Sequence, residues 1–158
     1  NPKAKPGQSV NPNQYSLNDI RTKNLMSVYR DEKIHLVLAC GARDCPPLKR
    51  EAFTAPRVEG QIFLAARQLV NNPKYVQIVP GSKKIQLSRI FKWYAPDFDL
   101  DFGSPERIGK FQRGDVSILS FLAYYLEDDA KIEYLQEGNY KIKYFPFDWS
   151  LNEWKEKV

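Results

Sequence analysis

The stretch Lys33-Ile-His-Leu-Val-Leu-Ala-Cys-Gly-Ala-Arg-Asp-Cys-Pro-Pro47 carries most of the information on fold and function in this chain. Residues 34–40 form a continuous apolar run of strand length, and Gly41 ends it. Such a run predicts a strand that is buried on both faces. The stretch also contains the only histidine, His35, and both cysteines, Cys40 and Cys45. The thiol and imidazole chemistry of the chain is therefore confined to this segment.

The sequence on either side predicts a mixture of helices and strands. Residues 1–15 are rich in Pro, Asn, Lys and Gly, so we expect an extended N-terminal arm followed by a single domain over 16–158. Without a regular βαβ alternation, the expected class is α+β, with a small, mainly antiparallel sheet packed with about four to five helices. Helices are predicted at 16–30, 54–70, 88–94, 115–126 and up to about 136, strands at 34–40, 75–79, 85–87 and 140–144, and a loop at 96–103.

Composition excludes several classes of protein. The chain has 158 residues and a net charge of +5, but its 24 basic and 19 acidic residues are interspersed, so we expect no nucleic-acid partner. No apolar run approaches the roughly 20 residues that span a bilayer. One histidine and two cysteines match no usual zinc spacing, so neither a metal site nor a cofactor is expected. The chain starts at Asn1 without a methionine, which is compatible with a processed product and a lost export signal.

The two cysteines differ in their predicted surroundings. In a regular strand, His35 and Cys40 face opposite sides, and a cysteine among leucines is most often a small buried hydrophobe. Cys45 follows a glycine turn beside Arg43, a setting that favours a thiolate and allows a return towards His35. The residues alone leave three alternatives open, namely a nucleophile–base pair, a Cys40–Cys45 disulfide and two unreactive thiols.

Three further groups complete the candidate site. Asp97 is flanked by aromatic residues and a proline, so it is the candidate to orient the imidazole, with loop solvation as the alternative. Backbone N–H groups near Gly41 are candidates to stabilise an oxyanion. Trp93 and Trp149 are candidates to line a substrate cleft, although aromatic clusters are more often core.

Four segments together resemble domain-of-unknown-function family number 547, over about residues 15–152. They are Ser16-Leu-Asn-Asp-Ile20, Ile34-His-Leu-Val-Leu-Ala-Cys-Gly-Ala-Arg-Asp-Cys-Pro-Pro-Leu48, Leu87-Ser-Arg-Ile-Phe-Lys-Trp-Tyr94 with Asp97-Phe98, and Phe147-Asp-Trp-Ser-Leu-Asn152. The resemblance implies export to the periplasm or beyond and a papain-like cysteine-hydrolase architecture, with His35 and either Cys40 or Cys45 as the working pair. Members usually begin with a helix that has no counterpart here, so a separate N-terminal segment of the same precursor is a candidate partner.

The sequence thus leads to two hypotheses. In the first, the protein is a cysteine-dependent hydrolase or acyltransferase acting on a peptide-like or thiol-containing substrate, with Cys45 as nucleophile, His35 as base and Asp97 orienting it. In the second, it is a non-catalytic binding module whose cysteines form a disulfide or merely pack.

Overall fold

The computed structural model describes residues 15–103, 107–111 and 114–153. The chain divides into two compact units, residues 1–30 and 31–158. The predicted arm at 1–15 lies outside the described residues except for Tyr15. Among the described residues, no helix is both long and apolar enough to cross a bilayer.

The first unit is helical from residue 17 to residue 29. Its backbone is α-helical at Leu17–Asp19 (α1), π-helical at Ile20–Met26 and α-helical again at Ser27–Tyr29 (α2). The hydroxyl of Ser16 accepts a hydrogen bond from the amide of Asp19, and the Asp19 carboxylate accepts one from the Ser16 amide. This reciprocal cap satisfies two amides that the first helical turn leaves without partners, and it lies where the predicted helix over 16–30 begins.

The second unit contains six helices and a three-stranded sheet among its described residues, which confirms the α+β class. The sheet has the order β1-β2-β3 and is mixed, since β1 pairs antiparallel with β2 over two residues and β2 pairs parallel with β3 over four. The α+β class holds, but the sheet is not mainly antiparallel as expected, because a long helical segment separates β2 from β3 and allows the parallel return. The elements in chain order are α3 Ile34–Val37, α4 Val58–Val70, β1 Val76–Gln77, β2 Lys84–Leu87, α5 Arg89–Trp93, α6 Ala95–Phe102, α7 Asp115–Tyr125, α8 Asp129–Glu137 and β3 Lys141–Tyr144.

Helix α7 occupies the centre of the core of this unit. Four apolar residues at helical spacing are buried, namely Val116, Leu119 and Leu122 on α7 and Leu126 just after it. Phe121, also fully buried, contacts the rings of Phe98 and Phe102 on α6. A mostly apolar helix buried on several sides is expected at the centre of a core.

The strand predicted at 34–40 is wrong. Residues Ile34–Val37 are a short α-helix, and the chain becomes extended only at Leu38. The Asp31 carboxylate accepts a hydrogen bond from the Lys33 amide at 2.8 Å, and the Leu36 amide donates to the Lys33 carbonyl. These local bonds begin a helix, and a short apolar run does not by its periodicity distinguish a buried strand from a buried helical turn.

The loop predicted at 96–103 is also wrong, because residues Ala95–Phe102 form helix α6. Pro96 lies in the first turn, where a missing amide proton costs no intrahelical hydrogen bond. Phe98 and Phe102 are four residues apart and therefore reach Phe121 from one helical face. The aspartates at positions 97, 99 and 101 are typical of a loop. The packing of Phe98 and Phe102 against Phe121 instead stabilises a helix.

Candidate functional site

His35 is held between two residues of the α5–α6 segment. Its Nε2 atom lies 2.7 Å from Oδ2 of Asp97, in the first turn of α6. Its ring stacks on Tyr94, with 3.7 Å between ring centroids and 2° between ring planes. The imidazole is only 1% exposed, whereas the Asp97 side chain is 37% exposed. A buried imidazole with one nitrogen against a carboxylate has a fixed orientation, which is the arrangement in which a histidine can be positioned either for structure or for proton transfer.

Cys40 and Cys45 form a disulfide with 5.6 Å between their Cα atoms. The burial of the two residues is the reverse of the prediction, since Cys40 is exposed and Cys45 is 4% exposed. The reason is that α3 ends at Val37, so the strand alternation that would have buried Cys40 does not exist. Neither sulfur is a thiol in this structure, and a thiol nucleophile is therefore present only after reduction.

The disulfide loop is bound to the segment 148–152, called here the tail. The Arg43 amide donates to the Ser150 carbonyl at 3.0 Å, and the Asn152 amide donates to the Gly41 carbonyl at 2.8 Å. The Asp148 amide donates to the Asp44 carboxylate at 2.7 Å. Gly41, with φ of +81°, provides the reversal that brings the loop back alongside the tail.

Three aromatic side chains meet where the tail joins the rest of the unit, and we call Trp93, Phe147 and Trp149 the aromatic surface. Ring centroids are 4.8 Å apart for Trp93 and Phe147, 4.5 Å for Phe147 and Trp149, and 5.4 Å for the two tryptophans. Trp149 is 68% exposed and Trp93 is 40% exposed. Large aromatic groups exposed together are characteristic of binding surfaces, whereas single exposed apolar residues are ordinary.

Cations border the aromatic surface. Arg89 is exposed, and its Nε donates to the carbonyl of Phe145 at 3.1 Å. Lys92 is also exposed and directly precedes Trp93 in the chain, and its Nζ lies 5.6 Å from the centre of the Tyr144 ring. Two acids also lie here, since the Asp44 carboxylate accepts from the Asp148 amide beside the tail. Hydrogen bonds from the side chain and the backbone amide of Ser150 lower the pKa of the Asp148 carboxyl. Asp148 is therefore ionised at neutral pH, but its charge is directed into the turn that orders the tail.

The structure brings the predicted site residues together in two groups. In the first group, His35 contacts Asp97. In the second, the disulfide loop, which contains Gly41 and exposed Arg43, is hydrogen-bonded to the tail. The tail carries Trp149, whose ring contacts that of Trp93. Within the described residues there is no group of three or more His, Cys, Asp or Glu side chains able to hold a metal ion.

Two parts of the site were not found from the sequence. The Tyr94 ring stacks on His35, and Phe147 connects the two tryptophans. The spacing Phe145-Pro-Phe147-Asp-Trp149 is a signal for Phe147, because alternate residues of an extended chain point to the same side. No comparable local signal exists for the Tyr94 stacking.

No protein-family model, no curated protein and no solved structure matches this chain.

Proposed function

We propose that the protein is a non-catalytic binding module, in which the Cys40–Cys45 disulfide holds the aromatic surface in place for an acidic, peptide-like ligand. The observation that carries this proposal is the disulfide itself, since it occupies the sulfurs of both cysteines of the chain. A cysteine hydrolase needs one of them as a thiolate. The buried position of the His35 imidazole, 1% exposed, also favours a structural role for the His35–Asp97 pair.

The ligand class follows from the chemistry of the surface. Indole rings bind apolar and planar groups with little loss of conformational entropy, and they dominate many protein–peptide contacts. The guanidinium of Arg89 adds positive charge near them, since it donates to the carbonyl of Phe145, and the ammonium of Lys92 lies over the Tyr144 ring. The net charge of the chain is +5. A peptide with carboxylates next to aromatic side chains fits both features.

Binding can be tested with a random copolymer of glutamate and tyrosine, titrated against the oxidised protein while tryptophan emission is recorded. We expect saturable binding that weakens with salt, and Trp149→Ala should reduce the affinity about tenfold or more. Tyr124→Ala is the matched control, because Tyr124 is an aromatic residue 64% exposed on α7. Equal affinity for a lysine–tyrosine copolymer, or equal losses in the two variants, would show that the aromatic surface is not the binding site.

A second candidate function is a cysteine-dependent hydrolase or acyltransferase that works in the reduced state. The contact of 2.7 Å between His35 Nε2 and Asp97 Oδ2 favours it, since a carboxylate that orients an imidazole is part of such sites. Cys45 would attack the carbonyl carbon of a peptide-like or thiol-containing substrate, and backbone amides near Gly41 would stabilise the oxyanion. Because Nε2 contacts Asp97, the thiol proton would have to pass to Nδ1, which is buried.

This second candidate predicts a reactive Cys45 thiolate. Alkylation of the reduced protein by iodoacetamide, followed across pH by mass spectrometry, should show a depressed thiol pKa that His35→Ala restores to the ordinary range near 8.5. An ordinary thiol pKa that does not change in His35→Ala would exclude the hydrolase.

We further propose membership of domain-of-unknown-function family number 547, on the His35…Cys40-Gly41…Cys45-Pro46-Pro47 motif, and export from the cytoplasm. The disulfide supports export, because such bonds persist mainly in oxidising compartments. Alkylation of thiols in intact cells measures the redox state directly. A fully reduced pool of Cys40 and Cys45 would contradict export.

A further inference from the structure

The disulfide loop and the tail form one hydrogen-bonded unit. Besides the three bonds given above, the Asp44 amide donates to the Asp148 carbonyl. The Arg43–Ser150 and Asn152–Gly41 bonds together make Ala42 and Leu151 an antiparallel bridge. Nearly all these contacts use the backbone of residues 41–44, which are the residues between the two cysteines. The position of the tail, and with it that of Trp149, therefore depends on the conformation of these four residues. The disulfide closes them into a loop, and Lys74 contacts the same loop through the Arg43 carbonyl and the Asp44 carboxylate.

The two cysteines differ in their exposure to solvent. Cys40 is an exposed residue, whereas Cys45 is 4% exposed and its carbonyl accepts a hydrogen bond from the buried Tyr75 hydroxyl at 2.9 Å. The rate of thiol–disulfide exchange depends on which sulfur is attacked and on access to it, which favours attack at the exposed residue. This asymmetry assigns Cys40 as the residue that is attacked and Cys45 as the residue whose sulfur leaves.

We infer that the Cys40–Cys45 disulfide is a redox switch for the aromatic surface, opened by a dithiol and acting through the tail that carries Trp149. The inference rests on the proposed binding function, whose regulation it supplies. Reduction would free the four residues between the cysteines to leave their present conformation. Their hydrogen bonds to the tail would then be lost together, because each requires the loop geometry.

The chemical step is a thiol–disulfide exchange. One thiolate of the dithiol attacks Cys40 Sγ, the bond to Cys45 breaks, and the Cys45 thiolate takes up a proton. The second thiol of the dithiol then attacks the mixed disulfide at the reductant's own sulfur and releases Cys40. The dithiol loses two electrons and two protons and becomes a cyclic disulfide, and Cys40 and Cys45 become two thiols.

The hydrogen bonds of Phe145 determine where the segment released on reduction begins. Phe145 stays anchored after reduction, since its amide donates to the Leu87 carbonyl and its carbonyl accepts from Arg89. Residues up to 145 should therefore remain in place, and Pro146 is the first position at which the chain can swing away. The switch thus moves the tail and not the sheet.

Amide hydrogen exchange on the full chain, with and without dithiothreitol, tests the switch without any ligand. A mass increase for two hydrogens confirms reduction. We expect exchange at the amides of Arg43, Asp148 and Asn152 to become about tenfold faster or more on reduction, while the amides of Lys141 and Phe145 keep their rates. Resistance of the disulfide to dithiothreitol in the native protein, or reduction with unchanged exchange in the tail, would overturn the inference.

Two variants separate the switch from general loss of structure. Asp44→Ala keeps the disulfide but removes the acceptor of the Asp148 amide, so it should accelerate tail exchange in the oxidised protein. Glu51→Ala changes an exposed residue paired with Arg57 and should leave the exchange unaltered. If both variants behave alike, the loop contacts do not hold the tail and the switch is refuted.

Titration of the glutamate–tyrosine copolymer in both redox states distinguishes the two proposals. Affinity about tenfold weaker in the reduced protein supports both, because Trp149 must then be ordered during binding. Binding that is equal in the two states leaves the binding function in place and refutes the switch. Faster tail exchange without binding in either state supports the switch in the tail and refutes the binding function.

Discussion

Oδ2 of Asp97 lies 2.7 Å from Nε2 of His35, although 62 residues separate the two in the chain. The contact ties α3, which directly precedes the disulfide loop, to α6. Because the His35 ring also stacks on Tyr94, the short helix α3 is held by a ring contact and by a charge-assisted hydrogen bond or ion pair at the same residue.

Asp97→Ala should reveal how much this contact stabilises the protein. The substitution leaves a buried imidazole nitrogen without its carboxylate, so we expect the free energy of unfolding to fall by about 1–3 kcal/mol. Urea denaturation measures it. Asp101→Ala, an exposed residue of the same helix, should change the value by about 0.5 kcal/mol or less. Similar losses in both variants would mean that helix propensity, and not the His35 contact, is being measured.

Removal of the disulfide should have a moderate cost. A closed loop of this length restricts the unfolded chain by about 2 kcal/mol, so the double substitution Cys40→Ala with Cys45→Ala should lower the free energy of unfolding by that amount. The control is the same measurement in dithiothreitol, where the wild-type protein loses its cross-link too. A difference that persists in the reductant would point to lost packing around buried Cys45.

Glu32 should make stability depend on pH. Its side chain is fully buried, its Oε1 accepts from Lys33 Nζ at 3.2 Å, and within the described residues Oε2 has no hydrogen-bond partner. Burial raises the pKa of Glu32 above its ordinary value of 4.5. Between 4.5 and this raised pKa the folded protein holds more protons than the unfolded chain, so stability falls as the pH rises through that window.

Glu32→Gln removes the titrating group and should abolish this fall. The measurement is urea denaturation at pH values from about 4 to about 7, in the wild type and the variant. Glu59→Gln, an exposed glutamate of α4, should reproduce the wild-type profile. Parallel profiles for the wild type and Glu32→Gln would contradict the assignment of the effect to Glu32.

Phe121→Ala should be the most destabilising of these changes. The ring is fully buried and contacts aromatic rings on three helices, α5, α6 and α7. Its removal leaves a cavity, so the free energy of unfolding should fall by about 3–5 kcal/mol. Tyr124→Ala, three residues along the same helix and 64% exposed, should cost about 1 kcal/mol or less. Comparable losses would indicate that α7 is held mainly by its exposed face.

Much of the secondary structure could be predicted from the sequence because it depends on neighbouring residues. The helix predicted at 88–94 is α5, and it begins where the Ser88 side chain accepts from the Ile90 amide. The helix predicted from Thr54 ends where expected, at Val70 before Asn71 and Pro73, but it starts only at Val58, because residues 54–57 form a turn. Caps and breakers act within a few residues, so they are readable in the chain itself.

The error at 34–40 had a direct effect on the candidate site. Strand alternation placed Cys40 in the core and left Cys45 as the accessible thiol, whereas a helix at Ile34–Val37 exposes Cys40 and buries Cys45. Asp31, whose carboxylate accepts from the Lys33 amide just before this helix, is a local signal for a turn at this position. The apolar run itself does not distinguish a strand from a helical turn, because a short apolar segment of either kind can be buried in a core.

The sequence by itself determined the α+β class, most of the helix ends, and the confinement of histidine and cysteine chemistry to one segment. The sequence also named Asp97 as a candidate partner of His35 and a disulfide as one of three alternatives for the cysteines. Only the tertiary structure decided that both contacts form and that the loop between the cysteines holds the tail beside Trp93. The physical reason is separation along the chain. Caps and turns are local, whereas these contacts join residues that only the packing of helices around α7 and the pairing of the tail with the loop bring together.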